Sequence, residues 1–84
     1  MKNAGDIRLM VLTPQETLFD GMVEKVELPG AEGRFMVLRN HIPLISMLDE
    51  GFVVYAAAGK VERIAVVSGF AEVCGNCVTV CAEV

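Results

Sequence analysis

The sequence predicts an all-β protein in which two antiparallel sheets pack face to face, as a β-sandwich or flattened barrel. Three observations predict this class. No window of twelve or more residues carries an apolar stripe at helical spacing without a glycine or proline in it. Thirteen valines and four isoleucines, which favour strands, lie in short runs. Turn-forming residues separate these runs at intervals of about 8–12 residues, a spacing typical of sandwiches and barrels.

Nine short runs are strand candidates, because each is rich in β-branched, aromatic or other apolar residues and ends at a turn signal. In chain order they are residues 7–12, 17–19, 23–28, 34–38, 44–48, 52–57, 61–67, 70–74 and 78–82. The turn signals between them include Asp20-Gly21, Pro29-Gly30 and Ser68-Gly69. Gly59 and the Gly75-Asn76 pair predict tight hairpins, since such turns need residues with positive φ.

The chain is apolar for its size. Its 84 residues, 1–84, are expected to form one small domain, with no room for a second. Counting glycine and leaving out tyrosine, 52 residues are apolar, about 62% against roughly 45–50% in soluble domains. The runs 52–57 and 64–67 are apolar on both faces. We therefore expect one face to fill the core and the other to contact a partner protein.

Charge and hydropathy exclude several classes of protein. The longest stretch without a charged residue is ten residues, 73–82, where a membrane-spanning helix needs about twenty. Asp6 and Arg8 interrupt any apolar signal core, so a cytoplasmic location is expected. Eleven acidic and seven basic residues give a formal charge of −4 without a basic cluster. This balance argues against nucleic acid and anionic lipid as partners.

Three cysteines form the pattern Cys74-x-x-Cys77-x-x-x-Cys81. A zinc site needs four ligands, and the single histidine, His41, is more than thirty residues away in the chain. A thioredoxin-type site needs the motif at a helix N-terminus, whereas here Gly75-Asn76 lies between two strand-like runs. We interpret Cys74 and Cys77 as residues that flank a hairpin turn, and a thiol or metal protein using all three cysteines is kept as an alternative.

The sequence predicts no catalytic, cofactor or metal site. His41 lies in a loop, Asn40-His41-Ile42-Pro43, without the neighbouring groups that a catalytic base requires. This favours a structural or interface role for His41. Neither glycine-rich phosphate-binding motif occurs.

The order of short motifs is more specific than the composition. The motifs are Leu12-Thr13-Pro14, Phe19-Asp20-Gly21, Val26-x-Leu28-Pro29-Gly30, Gly33-x-Phe35-x-Val37-Leu38-x-Asn40-His41-x-Pro43-Leu44, Gly51, Ser68-Gly69-Phe70-Ala71-Glu72-Val73 and Val78-Thr79-Val80. From about residue 7 to 82, the chain resembles the N-terminal β-sandwich domain of the F-type ATP synthase epsilon-subunit family. The resemblance implies a ten-stranded β-sandwich in the central stalk, between the gamma subunit and the membrane c-ring. It implies a non-catalytic subunit that couples gamma rotation to the c-ring during ion-driven ATP synthesis.

The resemblance also implies two interfaces. Thr13, His41 and Phe52 fall where the family contacts gamma, and Glu32 and Arg34 fall where it contacts the c-ring. These residues are expected to make packing and polar contacts and to do no chemistry. The implied location is peripheral, on the cytoplasmic face of the bacterial inner membrane. A free-standing small β-barrel binding module remains the other alternative.

The chain departs from the family pattern at three positions. Met36 and Arg39 stand where the family usually has glycine and proline, which predicts a different path for the loop before His41. Arg34 replaces what is often an acidic residue. The family usually continues into a C-terminal two-helix domain that can inhibit ATP hydrolysis, and these 84 residues do not include it. We therefore expect this chain to carry the coupling role and not the inhibitory one.

Overall fold

The computed structural model describes residues 5–84, and that part of the chain contains nine β-strands and no helix. The strands are β1 Ile7–Leu12, β2 Thr17–Val23, β3 Lys25–Gly30, β4 Gly33–Val37, β5 Leu44–Leu48, β6 Gly51–Ala57, β7 Lys60–Val66, β8 Ser68–Cys74 and β9 Cys77–Glu83. The predicted all-β class is confirmed. The count of ten strands is wrong for the described residues. No helix of membrane-spanning length and hydropathy is present in residues 5–84.

Three predicted turn signals lie inside strands. Asp20-Gly21 belongs to β2, because both residues pair with β1, and Ser68-Gly69 belongs to β8, where both pair with β9. Pro29-Gly30 ends β3 and pairs with the start of β4, so the turn itself is one step later, at residues 31–32. Glycine in a strand marks a close approach of another backbone. At Gly69, with φ 146°, an added side chain would collide with the backbone of β9.

The strands follow the order β2-β1-β9-β8-β5-β3-β6-β7, with β4 paired to the side of β3. All pairs are antiparallel except that of β1 with β9. Strands β5 and β3 share a single residue pair, Gly30 with Leu48. At this weak junction the sheet divides into a first layer, β2-β1-β9-β8-β5, and a second layer, β4-β3-β6-β7.

The inward faces of the two layers form one apolar core. In the first layer, β9 alternates buried Val78, Val80 and Ala82 with less buried Cys77, Thr79 and Cys81. The second layer contributes buried side chains from each of its four strands, among them Val26, Val37, Val53 and Val66. The rings of Phe19 and Tyr55 meet across the layers with centroids 4.4 Å apart. No polar or charged residue of 5–84 is buried. Apolar burial therefore holds the layers together, and each large aliphatic side chain that is fully buried contributes about 1.5–3 kcal/mol.

Two tight turns show why particular residues occupy the hairpins. Ala58 and Gly59 join β6 to β7 with φ of 54° and 80°, the double positive φ of a type I′ turn. Gly75 has φ 62° at the first turn position between β8 and β9, whereas Asn76 does not have positive φ. The predictions for Gly59 and Gly75 are confirmed, and that for Asn76 is wrong, since a type II′ turn needs positive φ only at its first central residue.

Candidate partner-binding surface

Large apolar side chains are exposed on the outward face of β5 and β8. Ile45 is 72% exposed, Met47 64% and Phe70 44%. Met47 and Phe70 are directly paired across the two strands. Phe70 is next to Cys81 of β9, and Cys81 is next to Leu12 of β1. We call these five residues, on four adjacent strands of the first layer, the apolar patch.

One end of the apolar patch opens into a groove of ≈ 630 Å³. Its walls include four residues of the patch, with Thr13 and Pro14 on the side of the β1-β2 loop. Ser68 donates a hydrogen bond to Glu83 at 3.4 Å on the rim. A mostly apolar groove with a few polar groups at its edge can accept an apolar segment of another protein.

The hydroxyl group of Thr13 is engaged within its own loop. Its Oγ1 accepts hydrogen bonds from the backbone N–H of Gln15 at 3.2 Å and of Glu16 at 3.1 Å. The hydroxyl also donates to the carbonyl of Glu16 at 3.2 Å. Thr13 therefore shapes the loop that forms one wall of the groove, and this is how it can act on a partner.

His41 lies at the opposite end of the first layer. The preceding residue, Asn40, has φ 64° and donates its backbone N–H to Asn76 Oδ1 at 2.7 Å. His41 Nδ1 is 2.8 Å from the carbonyl of Ile42, which can only accept, so Nδ1 carries the proton. The carbonyl of Asn76 accepts a hydrogen bond from Arg8, near the start of β1. Thr13 and His41 are thus separated by about the length of β1, roughly 20 Å.

Phe52 is on the second layer, apart from the apolar patch. It points away from the core on β6 and is 44% exposed. The guanidinium carbon of Arg63 lies 5.6 Å from its ring centroid, a cation–π contact. The structure does not bring Thr13, His41 and Phe52 together as one cluster.

Glu32 lies in the turn between β3 and β4, whereas Arg34 is the second residue of β4 and not part of the turn. Both are exposed, and Arg34 contacts Glu27 at 3.4 Å. The backbone N–H of Ala31 donates to the carbonyl of Met47 at 2.9 Å, which attaches this turn to the end of β5. A second groove, of ≈ 490 Å³, lies between the turn and β5. Glu32 lines this groove together with Ile45 and Met47 of the apolar patch, whereas Arg34 lies against Glu27 on the second layer.

The loop before His41 has an anchor of its own. Arg39 Nη1 donates to Asp6 Oδ2 at 3.1 Å, and both side chains are more than half exposed. Met36 is 38% exposed on the outward face of β4. These contacts describe the path of the loop in this chain, and its difference from the family pattern stays a prediction.

Ile45, Met47 and Phe70 are residues that the sequence reasoning did not single out. A signal for two of them exists, because four of the five residues of β5 are apolar. When a strand is apolar on both faces and only one face points to the core, the other apolar face must be exposed. For Phe70 the signal is weaker, because β8 alternates normally and the exposed ring is one residue within that alternation.

The cysteines do not converge on one point. All three are free thiols, Cys74 at the end of β8 and Cys77 and Cys81 on β9. Cys74 and Cys77 face each other across the turn, as predicted. Cys81 is four residues further along the strand than Cys77, about 13 Å away. Residues 5–84 contain no group of three His, Cys, Asp or Glu side chains placed to hold a metal ion.

One ion pair stands out on the first layer. Arg8 Nε and Nη2 donate to the two carboxylate oxygens of Asp20 at 3.1 and 3.0 Å. These hydrogen bonds hold the pKa of Asp20 below its usual value and raise that of Arg8. On the second layer, burial is the main reason that the pKa of Tyr55 is raised, with the charge of Glu62 second.

The two layers, the apolar core and the apolar patch define a small β-sandwich domain with a surface suited to protein binding. A family model for the β-sandwich domain of the ATP synthase delta/epsilon chain matches residues 6–84. The chain belongs to this family.

Relatives and solved structures agree with this assignment. The chain is 42% identical over 80 residues to the ATP synthase epsilon chain of Desulfitobacterium hafniense, covering 95% of this chain and 61% of that relative. It is 46% identical over 77 residues to that of Nitratidesulfovibrio vulgaris, covering 92% and 58%. The chain thus spans about three fifths of the length of these curated relatives.

Two solved structures share the fold. A chain of the Euglena gracilis mitochondrial ATP synthase (OSCP/F1/c-ring) superposes with a TM-score of 0.84 at 23% identity, over 90% of this chain and 49% of that one. A chain from the central stalk and c-ring of the Tetrahymena thermophila enzyme gives 0.78 at 13% identity, over 99% and 67%.

Proposed function

We propose that this protein is a non-catalytic central-stalk subunit of a rotary ATP synthase that couples gamma-subunit rotation to the membrane c-ring. The observation that carries the proposal is the family match over residues 6–84, together with relatives named as ATP synthase epsilon chains. The subunit works by binding and needs no cofactor. It lies peripherally, on the cytoplasmic face of the bacterial inner membrane.

The apolar patch is the main contact with gamma. Burying a side chain such as Met47 or Phe70 stabilises a complex by about 1.5–3 kcal/mol if it becomes fully covered. Met47 is 64% exposed and Phe70 44%, which leaves both side chains open to a partner. Thr13 contributes as a wall of the groove at one end, and His41 and its loop contact gamma at the other. Phe52 adds a contact from the second layer, beside Arg63.

The β3-β4 turn contacts the c-ring. Glu32 lies at the border of the patch and Arg34 follows it at the start of β4, so one molecule can contact gamma and the ring at the same time. Arg34 and Glu27, on the strands that flank the turn, offset each other's charge, and Glu32 leaves the turn itself negative. This charge pattern suits a contact with polar loops of the c-ring, which can move against the turn or bind to it without a large apolar surface.

The test is reconstitution of ATP synthase vesicles from which the epsilon chain has been removed. Adding this chain is expected to restore ATP-driven ion pumping, measured as a pH or ion gradient across the membrane. Met47→Asp, in the apolar patch, is expected to weaken both binding and pumping. Val61→Asp is the matched control, because Val61 is 68% exposed on the second layer. A chain that stays monomeric and never binds the depleted complex would favour a free-standing binding module instead.

A further inference from the structure

Cys74 and Cys77 close the hairpin between β8 and β9 as a directly opposed pair. Cys74 is exposed and Cys77 is half-buried, and both are free thiols. Opposed residues that close a two-residue turn exchange hydrogen bonds, which places their Cα atoms about 5.5 Å apart. A disulfide requires a Cα separation of about 4.4–6.8 Å, so the backbone already satisfies the main requirement. Opposed residues in a sheet also point their side chains to the same face.

Cys81 cannot take part in this pairing. Its partner on β8 is Phe70, and it is four residues beyond Cys77 on the same strand. The resulting distance of about 13 Å exceeds the 7 Å limit for bridging two cysteines without backbone movement. Of the three thiols, one pair is therefore placed to form a bond.

The bond would be strained. Opposed Cβ atoms in a sheet are about 4.5–5.5 Å apart, whereas a disulfide holds them at about 3.5–4.5 Å. The turn must tighten by roughly 1 Å. Gly75 can absorb part of this change, because glycine adopts a wider range of φ and ψ than other residues, and no atom lies within 4 Å of the position that a side chain there would occupy. Strain of this kind makes a disulfide easier to reduce than a structural one.

We propose that Cys74 and Cys77 form a reversible disulfide in response to a small disulfide oxidant such as oxidised glutathione. The thiolate of the exposed Cys74 attacks the S–S bond of the oxidant, which breaks and releases one glutathione thiol. The thiolate of Cys77 then attacks the sulfur of Cys74 in the mixed disulfide and releases the second glutathione thiol. The two cysteines lose two electrons and two protons, and the oxidant gains them.

The bond acts on the loop that contains His41. Asn76, inside the turn, accepts one hydrogen bond from Asn40 through its side chain and another from Arg8 through its carbonyl, at 2.7 and 2.8 Å. A turn that tightens moves Asn76 and with it the anchor of residue 40. The disulfide therefore connects the redox state of the hairpin to the position of the neighbouring loop.

The test uses the purified 84-residue chain in mixtures of reduced and oxidised glutathione, quenched with acid and analysed by intact mass after alkylation. We expect the oxidised form to lack two hydrogens, to keep one alkylatable thiol, and to revert fully in reduced glutathione. Cys81→Ser is expected to titrate identically and to keep no free thiol when oxidised. Cys74→Ser and Cys77→Ser are expected to accumulate a glutathione adduct instead.

Two results would overturn the proposal. One is a wild-type chain that carries glutathione on Cys74 at every ratio and never closes the bond. The other is a Cys81→Ser chain that no longer forms the bond. Amide hydrogen exchange at Asn40, measured in oxidised and reduced Cys81→Ser, checks the effect on the loop. We expect the exchange rate to differ at least severalfold, and equal rates would remove the link to the His41 loop.

Discussion

The outward faces of the two layers differ in how they treat exposed apolar side chains. On the first layer, Ile45 and Met47 are 72% and 64% exposed, and the charged residue Glu72 is paired with Ile45. On the second layer, Phe52 is partly covered by Arg63, and Arg34 contacts Glu27 beside it. An apolar side chain that is already covered costs little free energy in water. An open one contributes favourable free energy of binding when a partner covers it. We therefore expect the first layer to be the stronger binding face, although Val61 on the second layer is also 68% exposed.

The position of β5 explains this difference. It pairs fully with β8 but shares one residue pair with β3, so it lies where the sheet divides. By contrast, β6 is flanked on both sides, by β3 and by β7, and each neighbour brings long charged side chains to its outward face. For Ile45 and Met47, the high exposure is thus consistent with the position of β5 at the division of the sheet.

The largest expected effect comes from breaking the first layer itself. Gly69→Ala places a side chain against the backbone of Cys81 and Ala82, at a φ of 146° that alanine rarely adopts. We expect a loss of about 3 kcal/mol or more in the free energy of unfolding, measured by urea denaturation. Gly59→Ala is the control on the second layer, where φ is 80° and no atom lies within 4 Å. It should cost about 1–2 kcal/mol, and equal losses in the two variants would show that the β8-β9 contact is looser than the structure shows.

The sequence predicts the positions of the strands well, but it predicts poorly which strands are neighbours and which side chains form the surface. Each of the nine candidate runs overlaps an observed strand, because β-branched runs bounded by turn residues reflect local chemistry. The run 23–28 overlaps two, since Val23 is the last residue of β2 and β3 begins at Lys25. Asp20-Gly21 was misread as a turn because its place in β2 depends on pairing with β1, which is distant in sequence. The same limit applies to the surface. The apolar patch exists because β1 pairs with β9 and β5 with β8, and no local pattern shows these neighbours.

The second-largest effect is expected for two variants that test which outward face binds a partner more strongly. Phe70→Asp and Phe52→Asp change rings of equal exposure, 44%, on opposite layers. Both are expected to weaken binding to the stalk while leaving the fold intact. We expect Phe70→Asp to raise the dissociation constant by roughly 10- to 100-fold, as burial of an aromatic ring implies, and Phe52→Asp to raise it less. The dissociation constants are measured with surface-bound gamma subunit and by calorimetry. A larger effect at Phe52 would place the main interface on the second layer.

The smallest expected effect concerns the ion pair of Arg8 and Asp20 at the edge of the first layer. Its hydrogen bonds hold the pKa of Asp20 below the usual value, so the folded state favours the carboxylate. A carboxyl group with a lowered folded-state pKa contributes stability above its unfolded pKa of about 3.9, and that stability is lost as the pH falls through the folded-state pKa. Asp20→Asn should therefore be slightly less stable than the parent chain near neutral pH and equally stable in strong acid.

The matched comparison is Glu27→Gln on the second layer. Arg34 contacts a single oxygen of Glu27 at 3.4 Å, whereas Arg8 contacts both oxygens of Asp20 at 3.0 and 3.1 Å. Two short, separate hydrogen bonds bind a carboxylate more firmly than two long ones to the same atom. Because both pairs are largely exposed, salt should reduce either effect. Urea midpoints at low salt, taken near neutral pH and in acid, should show a loss for Asp20→Asn that disappears in acid, and near neutral pH this loss should exceed that of Glu27→Gln. A loss at Asp20 that persists unchanged in acid would mean that its side chain acts through packing against β1 and not through its charge.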